Sequence, residues 1–453
     1  MYKQSIYIQT YGCQMNDYES DRTYRMFHEN FGYTWISDPQ KANLVVFNTC
    51  SIREKADQKA FSTLGKLREA KAARHDMVIA VGGCLAQSQG QDIKKRFPFV
   101  DIVFGTHQWA NLPVLVQKVK EERRTFSELD LFGWQNYAFL PNQKSNLSYP
   151  VSDLLTIQNG CDKFCTFCLV PFTRGRQVSR TPKDVLEEAK AMVAKGVREL
   201  TLLGQNVNAY GVDRSGEITF AELLRQLSNI RDLKRLRFVT SHPSELTKET
   251  IDVMAESENI CEHLHLPIQS GSNKVLQRMN RDYTVEKIED LLGYLKHKIP
   301  EIALTTDIIV GFPGETENDF ELTLAAMKKF EFDDSYSFCF SPRPNTKASN
   351  WKDEFVELKV AKERLYRLQT LQKEMSNSLR SQWVGRNVEV LVEGRSKREP
   401  DELTGKTRRN QSINFACAQD LTGQLVDVKI SALIANTFKG EVLNNISLPV
   451  LVA

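Results

Sequence analysis

The sequence predicts an α/β fold in three parts: an N-terminal parallel α/β sheet domain, a central partial (β/α)6 barrel and a small C-terminal all-β barrel. Residues 1–123 alternate short apolar runs with helical patterns, and residues 151–381 continue this alternation over six strands. Such alternation indicates βαβ units and a parallel sheet. Residues 382–453 change to short strands with glycine-containing turns, which are typical of a small β-barrel.

Composition supports a globular protein of more than one domain. The chain has 453 residues, of which 41% are hydrophobic and 26% are charged. It has no apolar run of about 18 residues, and its start, MYKQSIYIQTYGC, lacks the pattern of a signal peptide. We therefore expect no membrane association and a cytoplasmic location. Nine cysteines in such a chain favour free thiols or metal ligands, and a net charge of +3 leaves room for local basic patches only.

The domain boundaries follow from changes in periodicity. Residues 124–150 lose periodicity and gather Pro, Asn and Ser, which predicts a linker. A long polar helix over about 356–381 leads out of the central domain. Six strands are too few for a closed eight-stranded barrel, so we expect an open one. The six strands read LLTIQNG, VRELTLLGQ, KRLRFVTS, CEHLHLPIQ, IALTTDIIVGF and DSYSFCFS.

A first cysteine trio follows the first of these strands, in QNGCDKFCTFCLVPFTRGR. Cys161, Cys165 and Cys168 form a C-x3-C-x2-C run. Iron–sulfur clusters usually have four thiolate ligands, so three leave one iron open for a substrate or cofactor. Spacing alone also permits zinc with a distant fourth ligand, such as His242 or Cys261.

This run, with the aromatic Phe167 before the last cysteine, resembles the signature of radical S-adenosylmethionine (SAM) enzymes. The resemblance implies a [4Fe-4S] cluster whose open iron binds SAM and whose electron generates a 5′-deoxyadenosyl radical. The segments LLGQNVN, LPIQSGS and DIIVGFPGET resemble later SAM-binding segments of that barrel. In and beside them, the expected SAM contacts are Gln205, His265, Gln269 and Asp307. Each of these can equally satisfy backbone groups within the barrel.

A second cysteine trio lies in the N-terminal domain. Three apolar runs, SIYIQTYGC, ANLVVFNTC and MVIAVGGC, end at Cys13, Cys50 and Cys84. Because the carboxyl ends of parallel strands share one edge of a sheet, we expect these cysteines to meet there. The alternative is that they are small buried hydrophobic residues. That interpretation is the one we favour for Cys261, Cys339 and Cys417.

A radical SAM barrel preceded by this cysteine domain resembles the methylthiotransferases. The resemblance implies a second [4Fe-4S] cluster that carries sulfur, replacement of C–H by C–S–CH3, and SAM as both radical source and methyl donor. Such a C–H bond is not acidic enough for side-chain bases with pKa values of about 4 to 10. We therefore expect no protein residue to act as catalytic acid or base.

Residues 383–447 resemble the TRAM module, a small RNA-binding barrel of RNA-modifying enzymes. The matching stretches include WVGRNVEVLVEG, LTGKTRRN and DLTGQLVDVKISAL. In LTGKTRRN, Lys406, Arg408 and Arg409 are expected to contact RNA phosphates. The alternative is a solvated loop whose charge is balanced by nearby acidic residues.

Short sequence motifs indicate the substrate. YGCQMNDYES, NTCSIREKADQK and LLGQNVNAYG resemble the MiaB branch of the methylthiotransferases, which modifies position 2 of an isopentenylated adenosine beside the tRNA anticodon. Two alternatives share the chemistry: threonylcarbamoyl-adenosine of tRNA, or a ribosomal protein side chain. A third alternative is a non-catalytic, metal-containing RNA-binding protein.

The expected partners follow from this interpretation. Three arginines come soon after the first trio and are expected to contact RNA phosphates at the barrel mouth: Arg174, Arg176 and Arg180. The alternative is that they form surface ion pairs, as arginines more often do. We expect a monomer that binds a tRNA anticodon stem-loop. We also expect an electron donor such as flavodoxin or ferredoxin, and a sulfur donor or cluster-repair protein.

Overall fold

The computed structural model describes residues 4–51, 54–131, 137–140, 147–214 and 216–443, with side chains omitted for 54–57. Two pieces of the predicted linker, 132–136 and 141–146, lie outside the described residues, as do residues 444–453 at the end of the predicted C-terminal domain. Among the described helices, none combines the length and the hydropathy needed to cross a membrane.

The N-terminal domain is built on one six-stranded parallel sheet with the strand order β2-β1-β3-β4-β5-β6. The central strands β3 and β4 are buried at every residue, as expected for parallel strands covered by helices on both faces. The elements are β1 (Ser5–Thr10), α1 (Gln14–Phe31), β2 (Thr34–Trp35), β3 (Leu44–Thr49), α2 (Glu54–Gly65), α3 (Arg68–Ala73), β4 (Val78–Gly83), α4 (Cys84–Arg96), β5 (Ile102–Phe104), α5 (Leu112–Glu122) and β6 (Phe126–Glu128).

The central domain is an open barrel formed by two three-stranded parallel sheets, β11-β10-β7 and β12-β13-β14. A parallel bridge between Leu236 and Ile260 connects the two sheets. The elements are β7 (Ser152–Thr156), β8 (Gln158–Asn159), α6 (Val170–Thr173), β9 (Val178–Ser179), α7 (Pro182–Ala194), β10 (Glu199–Leu203), α8 (Phe220–Ser228), β11 (Arg235–Phe238), α9 (Lys248–Glu256), β12 (His263–His265), α10 (Asn273–Arg278), α11 (Val285–Lys298), β13 (Ala303–Val310), α12 (Glu317–Phe330), β14 (Asp334–Cys339) and α13 (Leu358–Ser381).

The C-terminal domain is a closed five-stranded barrel with the strand order β15-β16-β17-β19-β18. Closure removes the free strand edges that an open sheet of this size would expose. The strands are β15 (Asn387–Arg395), β16 (Glu402–Thr407), β17 (Ser412–Ala416), β18 (Leu425–Ile434) and β19 (Thr437–Val442).

The predicted fold class is therefore confirmed in its three parts. One difference concerns the predicted linker, because β6 lies within residues 124–150 and pairs in parallel with β5. The N-terminal sheet thus continues past the predicted boundary at residue 123. A three-residue strand is too short to show a period, which explains why the sequence pattern missed it.

Candidate active site

The first cysteine trio lies on the loop that follows β7 and β8, at the carboxyl end of the barrel strands. Gly160 has φ +77, and a Cβ there would collide with the Arg176 carbonyl. The loop is thus folded tightly against residues 175–176, and the Cys161 amide donates to the Gly175 carbonyl at 3.3 Å. The Cys168 thiol accepts a hydrogen bond from the Val170 amide at 3.4 Å, at the start of α6.

The three thiols of this loop are mutual electrostatic neighbours. Burial raises the pKa of Cys161 to about 11. Burial, followed by the charge of Cys165, raises the pKa of Cys168 to about 12. The Cys161 and Cys168 thiols therefore hold their protons until a metal cation replaces them, which is the usual exchange when a thiolate site binds metal.

The second trio lies at the carboxyl ends of three adjacent strands. β3 pairs in parallel with both β1 and β4, so the cysteines that follow these strands lie side by side. Cys13 caps α1, Cys50 follows β3, and Cys84 opens α4. A Cβ built on Gly12 would collide with the Cys50 side chain, which places Cys50 directly beside the Gly12–Cys13 turn.

The elements that carry the two trios are in contact. α4, which begins at Cys84, packs against α6, which begins two residues after Cys168. Arg174 joins them, since its guanidinium contacts the Cys84 thiol and donates to Glu19 at 2.6 Å. The Arg174 carbonyl lies 2.9 Å from His107 Nε2 of the N-terminal domain. The helices that begin at Cys84 and two residues after Cys168 thus meet where the two domains join.

The arrangement of the cysteines bears on the choice between a zinc ion and a four-iron cluster. In the part of the chain that the structure describes, no three His, Cys, Asp or Glu side chains converge closely enough to hold one ion. Thiolates around one tetrahedral zinc ion lie only about 4 Å apart, given bonds of about 2.3 Å. A four-iron cluster binds each thiolate at a different iron and so spreads them, which fits three neighbouring cysteines that do not converge on one point.

Of the two proposed fourth zinc ligands, His242 follows β11 at the same end of the barrel as the first trio, whereas Cys261 does not. Cys261 precedes β12 and lies beside Arg237 and Glu199, at the amino ends of the strands. It is therefore at the opposite end of the barrel from Cys161. As predicted, Cys261 packs in the interior, whereas Cys339 and Cys417 are only partly buried against hydrophobic clusters.

The predicted SAM contacts fall into two groups. His265 and Asp307 lie on neighbouring strands, with His265 Nε2 3.5 Å from Asp307 Oδ1, and the Gln269 amide donates to the Asp307 carbonyl. Phe167 packs edge-to-face on Phe312 of the GFPGE turn, with ring centroids 6.3 Å apart. Gln205 instead accepts a hydrogen bond from the Gly160 amide at 2.6 Å and so supports the cysteine loop.

Four further polar side chains at this end of the barrel are not among the predicted SAM contacts. Among the described residues, their buried atoms Gln158 Oε1, Asn206 Oδ1, Ser241 Oγ and His242 Nε2 have no hydrogen-bond partner. Buried polar atoms are rarely left unpaired, so they suit a polar ligand such as the amino acid moiety of SAM. The signal in the sequence was the short polar run that follows each strand, as in TSHP after β11.

The predicted RNA contacts near the first trio are mostly wrong. Arg174 is 2% exposed and pairs with Glu19, and Arg180 is 5% exposed and pairs with Glu188 at 2.6 Å. Both guanidinium groups are enclosed where the first two domains meet, so neither reaches RNA. Arg176 differs, because its side chain is 68% exposed while it pairs with Asp162.

The basic turn of the C-terminal barrel is also engaged within the protein. Arg408 forms two hydrogen bonds of 2.7 Å with Glu262, and Arg409 donates to Asp333 at 2.5 Å. The Lys406 carbonyl accepts from Arg235. These two side chains therefore hold the barrel against the central domain, and their contact with phosphates stays a prediction.

Comparisons with known proteins agree with this division of the chain. Residues 155–327 match the radical SAM superfamily. Residues 5–105 match a family described as uncharacterized protein family UPF0004. Residues 382–443 match the TRAM domain.

Whole-chain relatives give the more specific comparison. The tRNA-2-methylthio-N(6)-dimethylallyladenosine synthase of Clostridium botulinum strain Hall is 42% identical over 435 residues, 96% of this chain and 95% of the relative. The protein of that name from Carboxydothermus hydrogenoformans is 43% identical over 95% of this chain and 97% of the relative. The radical SAM methyltransferase TsrM from Kitasatospora setae shares the fold, with a TM-score of 0.58, 15% identity, and coverage of 77% of this chain and 75% of that one. The identity to the named synthases extends over almost the whole of each chain, and this chain therefore belongs to the radical SAM family of tRNA-2-methylthio-N(6)-dimethylallyladenosine synthases.

Proposed function

We propose that this protein replaces the C2–H bond of N6-dimethylallyladenosine, beside the tRNA anticodon, with C–S–CH3. The observation that carries the proposal is the pair of cysteine trios, presented on contacting elements of a chain that belongs to this family. When bound, two [4Fe-4S] clusters and SAM supply the electron, carbon radical, sulfur and methyl group that side chains cannot.

The chain's own residues hold and enclose these groups. Cys161, Cys165 and Cys168 are the proposed ligands of the cluster that binds SAM. The matching ligands of the second cluster are Cys13, Cys50 and Cys84. For SAM we propose contacts from Phe167, His265, Gln269 and Asp307, with Gln205 bracing the cysteine loop. Their shared task is to keep the target carbon, radical and sulfur together and to exclude water.

Cysteine variants test this assignment after anaerobic reconstitution with iron and sulfide. The wild type should bind about eight irons per chain, and Cys165→Ala and Cys50→Ala about four each. Cys165→Ala should also abolish 5′-deoxyadenosine formation, whereas Cys50→Ala should retain it and lose sulfur insertion. Cys417→Ala, in the C-terminal barrel, is the matched control and should behave as the wild type. Methylthiolation by both trio variants would refute the division of roles.

The substrate proposal rests on the relatives' names, which specify dimethylallyladenosine and do not favour threonylcarbamoyl-adenosine or a ribosomal protein. Mass analysis of nucleosides tests it directly. Reduced enzyme with SAM should add a methylthio group to tRNA that carries dimethylallyladenosine and should leave prenyl-free tRNA unchanged. Equal modification of both substrates would contradict the proposal.

We propose that the tRNA loop crosses the edge strand β14 between the C-terminal barrel and the catalytic end. Tyr336 and Phe338 are 56% and 39% exposed there, and the Tyr336 ring contacts His265 edge-to-face. A groove of about 450 Å³ beside them includes Lys373 of α13 and Asn436 of the C-terminal barrel. Aromatic rings with an adjacent cation suit unstacked bases and their phosphates.

Kinetics of a single aromatic variant test this path. Tyr336→Ala should raise the KM for tRNA about tenfold, because base stacking contributes about 1–3 kcal/mol, with tRNA-free SAM cleavage unchanged. Tyr366→Ala removes a tyrosine that is 72% exposed on α13 outside this groove, and it should have no effect. An unchanged KM in Tyr336→Ala would rule out stacking at this residue.

The remaining partners follow from what the reaction consumes. Cluster reduction needs a one-electron donor such as flavodoxin or ferredoxin, and each turnover consumes sulfur that a donor or cluster-repair protein must replace. A tRNA substrate and free thiols suit the cytoplasm. We further propose that the enzyme acts as a monomer, and sedimentation at working concentration tests this.

A further inference from the structure

Arg281 is a cation placed against the first cysteine trio. Its Nη1 donates to the Cys165 thiol sulfur at 3.4 Å. Nη2 donates to the Pro267 carbonyl at 2.8 Å, and Nε donates to the Tyr283 hydroxyl at 2.6 Å. Three bonds in different directions fix the guanidinium, so its charge stays beside the sulfur.

This partly buried arginine lacks the carboxylate partner that the fully buried arginines have. Within the described part of the chain, no carboxylate forms an ion pair with Arg281, and Cys165 and Tyr283 are the groups whose charge favours its protonated state. The nearby cation Lys163 is neutralised by Glu245 and Asp282. Elsewhere, carboxylate partners pair with Arg22, Arg180, Arg237 and Arg364.

The second trio provides the contrast. Arg174 contacts Cys84 there, but Glu19 accepts from both terminal nitrogens of Arg174, at 2.6 and 3.3 Å. The arginine and the glutamate together carry no net charge. At the first trio the charge of Arg281 faces the Cys165 sulfur, and with a cluster bound the thiolate and the cluster would be the anions beside it.

We propose that Arg281 raises the reduction potential of the cluster held by Cys161, Cys165 and Cys168, an inference that rests on the function proposed above. In this step an external donor loses one electron and the cluster gains it, with no proton moved and no bond formed or broken. The cluster and its thiolates become more negative by one charge. A fixed cation that hydrogen-bonds a ligand sulfur favours that state.

Redox titration of the whole reconstituted chain, followed by electron paramagnetic resonance, tests the proposal. Dithionite is the reductant, and the signal that changes on adding SAM identifies the relevant cluster. At the wild-type midpoint, Arg281→Gln should lower the ratio of reduced to oxidised cluster about tenfold, equivalent to about 59 mV for one electron. Arg281→Lys, which keeps the charge, should lower the ratio less than about threefold.

Arg278→Gln is the matched control. Arg278 lies three residues before Arg281 and pairs with Glu354 rather than with a thiol, so its loss should not change the ratio. An unchanged ratio in Arg281→Gln, with full iron and a SAM-responsive signal, would overturn the proposal. The proposal would also be overturned if the ratio of reduced to oxidised cluster fell equally in Arg281→Lys, or if both Arg281 variants lost iron. Either result would assign Arg281 a structural role. Absence of any SAM-responsive signal in the wild type would instead refute the proposed function.

Discussion

Gly12 lies between β1 and Cys13 and faces Cys50, which follows the neighbouring strand β3. Its φ is +129, and an added Cβ would lie 2.6 Å from Asn16 Oδ1 and 3.0 Å from the Cys50 sulfur. Asn16 in turn donates to Asn48 at 2.6 Å, so the neighbours are anchored and cannot easily yield. Only glycine gives both this backbone conformation and this close approach.

We predict that Gly12→Ala disrupts the second trio and spares the first. The added methyl group must displace Cys50 or Asn16, so the iron content should fall from about eight to about four per chain. The signal that responds to SAM should remain, because the first trio is on a separate loop. Iron analysis with paramagnetic resonance of the reduced protein measures both quantities.

Gly32→Ala provides the control for backbone strain. Gly32 also has positive φ, at +69, but no atom lies within 4 Å of its added Cβ. This variant should lose about 1 kcal/mol of stability at the end of α1 and keep all its iron. Equal iron loss in both glycine variants would mean that backbone strain is responsible, and not the crowding at Cys50.

The sequence could locate the cysteines, but it could not reveal the arginines beside them. Cys161, Cys165 and Cys168 are close along the chain, and the other three cysteines each end an apolar run, so local patterns suffice. Arg281 meets Cys165 across 116 positions, and Arg174 meets Glu19 across 155. Such pairs depend on tertiary packing, and no local period or spacing encodes them.

Asp319 connects two segments that resemble SAM-binding motifs. Its Oδ1 accepts from the Ser272 hydroxyl at 2.7 Å, and its Oδ2 accepts from the Thr316 amide and hydroxyl at 2.9 and 2.6 Å. Ser272 caps α10 and Thr316 caps α12. One carboxylate thereby fixes the starts of both helices relative to each other.

We predict that Asp319→Ala weakens SAM binding and destabilises the central domain. Burial alone would raise the pKa of Asp319, but hydrogen bonds from Thr316 and Ser272 outweigh it and hold the pKa at about 2. A fall of that size from the usual value corresponds to about 2 kcal/mol near neutral pH. Urea unfolding should show this loss, and equilibrium dialysis should show a several-fold weaker affinity for SAM.

The contribution of Asp319 to folding stability should decrease in acid. Because the folded-state pKa is lowered, the stabilisation by Asp319 is complete above pH about 4 and is lost as the pH falls towards 2. The gap in urea midpoint between wild type and Asp319→Ala should therefore narrow in acid. Glu374→Ala, at an exposed carboxylate of α13, should show no gap at any pH. A gap that stays constant into acid would show that packing, and not charge, explains the loss.

Strand patterns predicted the main elements well because each long strand carries its own apolar run. Five of the six barrel strands fall within the predicted segments, and β7 begins two residues before the predicted segment LLTIQNG. The short pair β8 and β9 was not predicted, since two residues cannot show a period and the pairing joins residues about 20 apart. These short strands nevertheless shape the turn that leads into Cys161.

The C-terminal barrel is docked on the central barrel at the end opposite the first cysteine trio. Arg235 donates to the Lys406 carbonyl at 2.5 Å, and Arg237 donates to the Thr407 and Arg408 carbonyls at 2.7 Å. Both arginines are buried and lie on β11, which begins at Arg235. RNA held by the C-terminal barrel must therefore pass along the side of the central barrel to reach the catalytic end.

This docking gives the basic turn a role that its sequence does not reveal. A run of basic residues in a module that resembles TRAM predicts phosphate contacts, but Glu262 and Asp333 supply the opposing charges from a distant part of the chain. Such pairing lowers the positive potential that RNA would meet. The same residue types thus serve domain docking here, and the sequence pattern cannot separate the two roles.

Salt dependence of tRNA binding distinguishes the two roles. A lysine or arginine that contacts a phosphate contributes about one unit to the slope of log K against log salt. We predict that Arg408→Gln lowers tRNA affinity uniformly, because the barrel is held less firmly, and leaves that slope unchanged. Arg176→Gln, which removes an exposed cation beside the first trio, should reduce the slope by about one. Fluorescence anisotropy with labelled anticodon stem-loop across a salt series measures both, and a reduced slope in Arg408→Gln would restore its role as a phosphate contact.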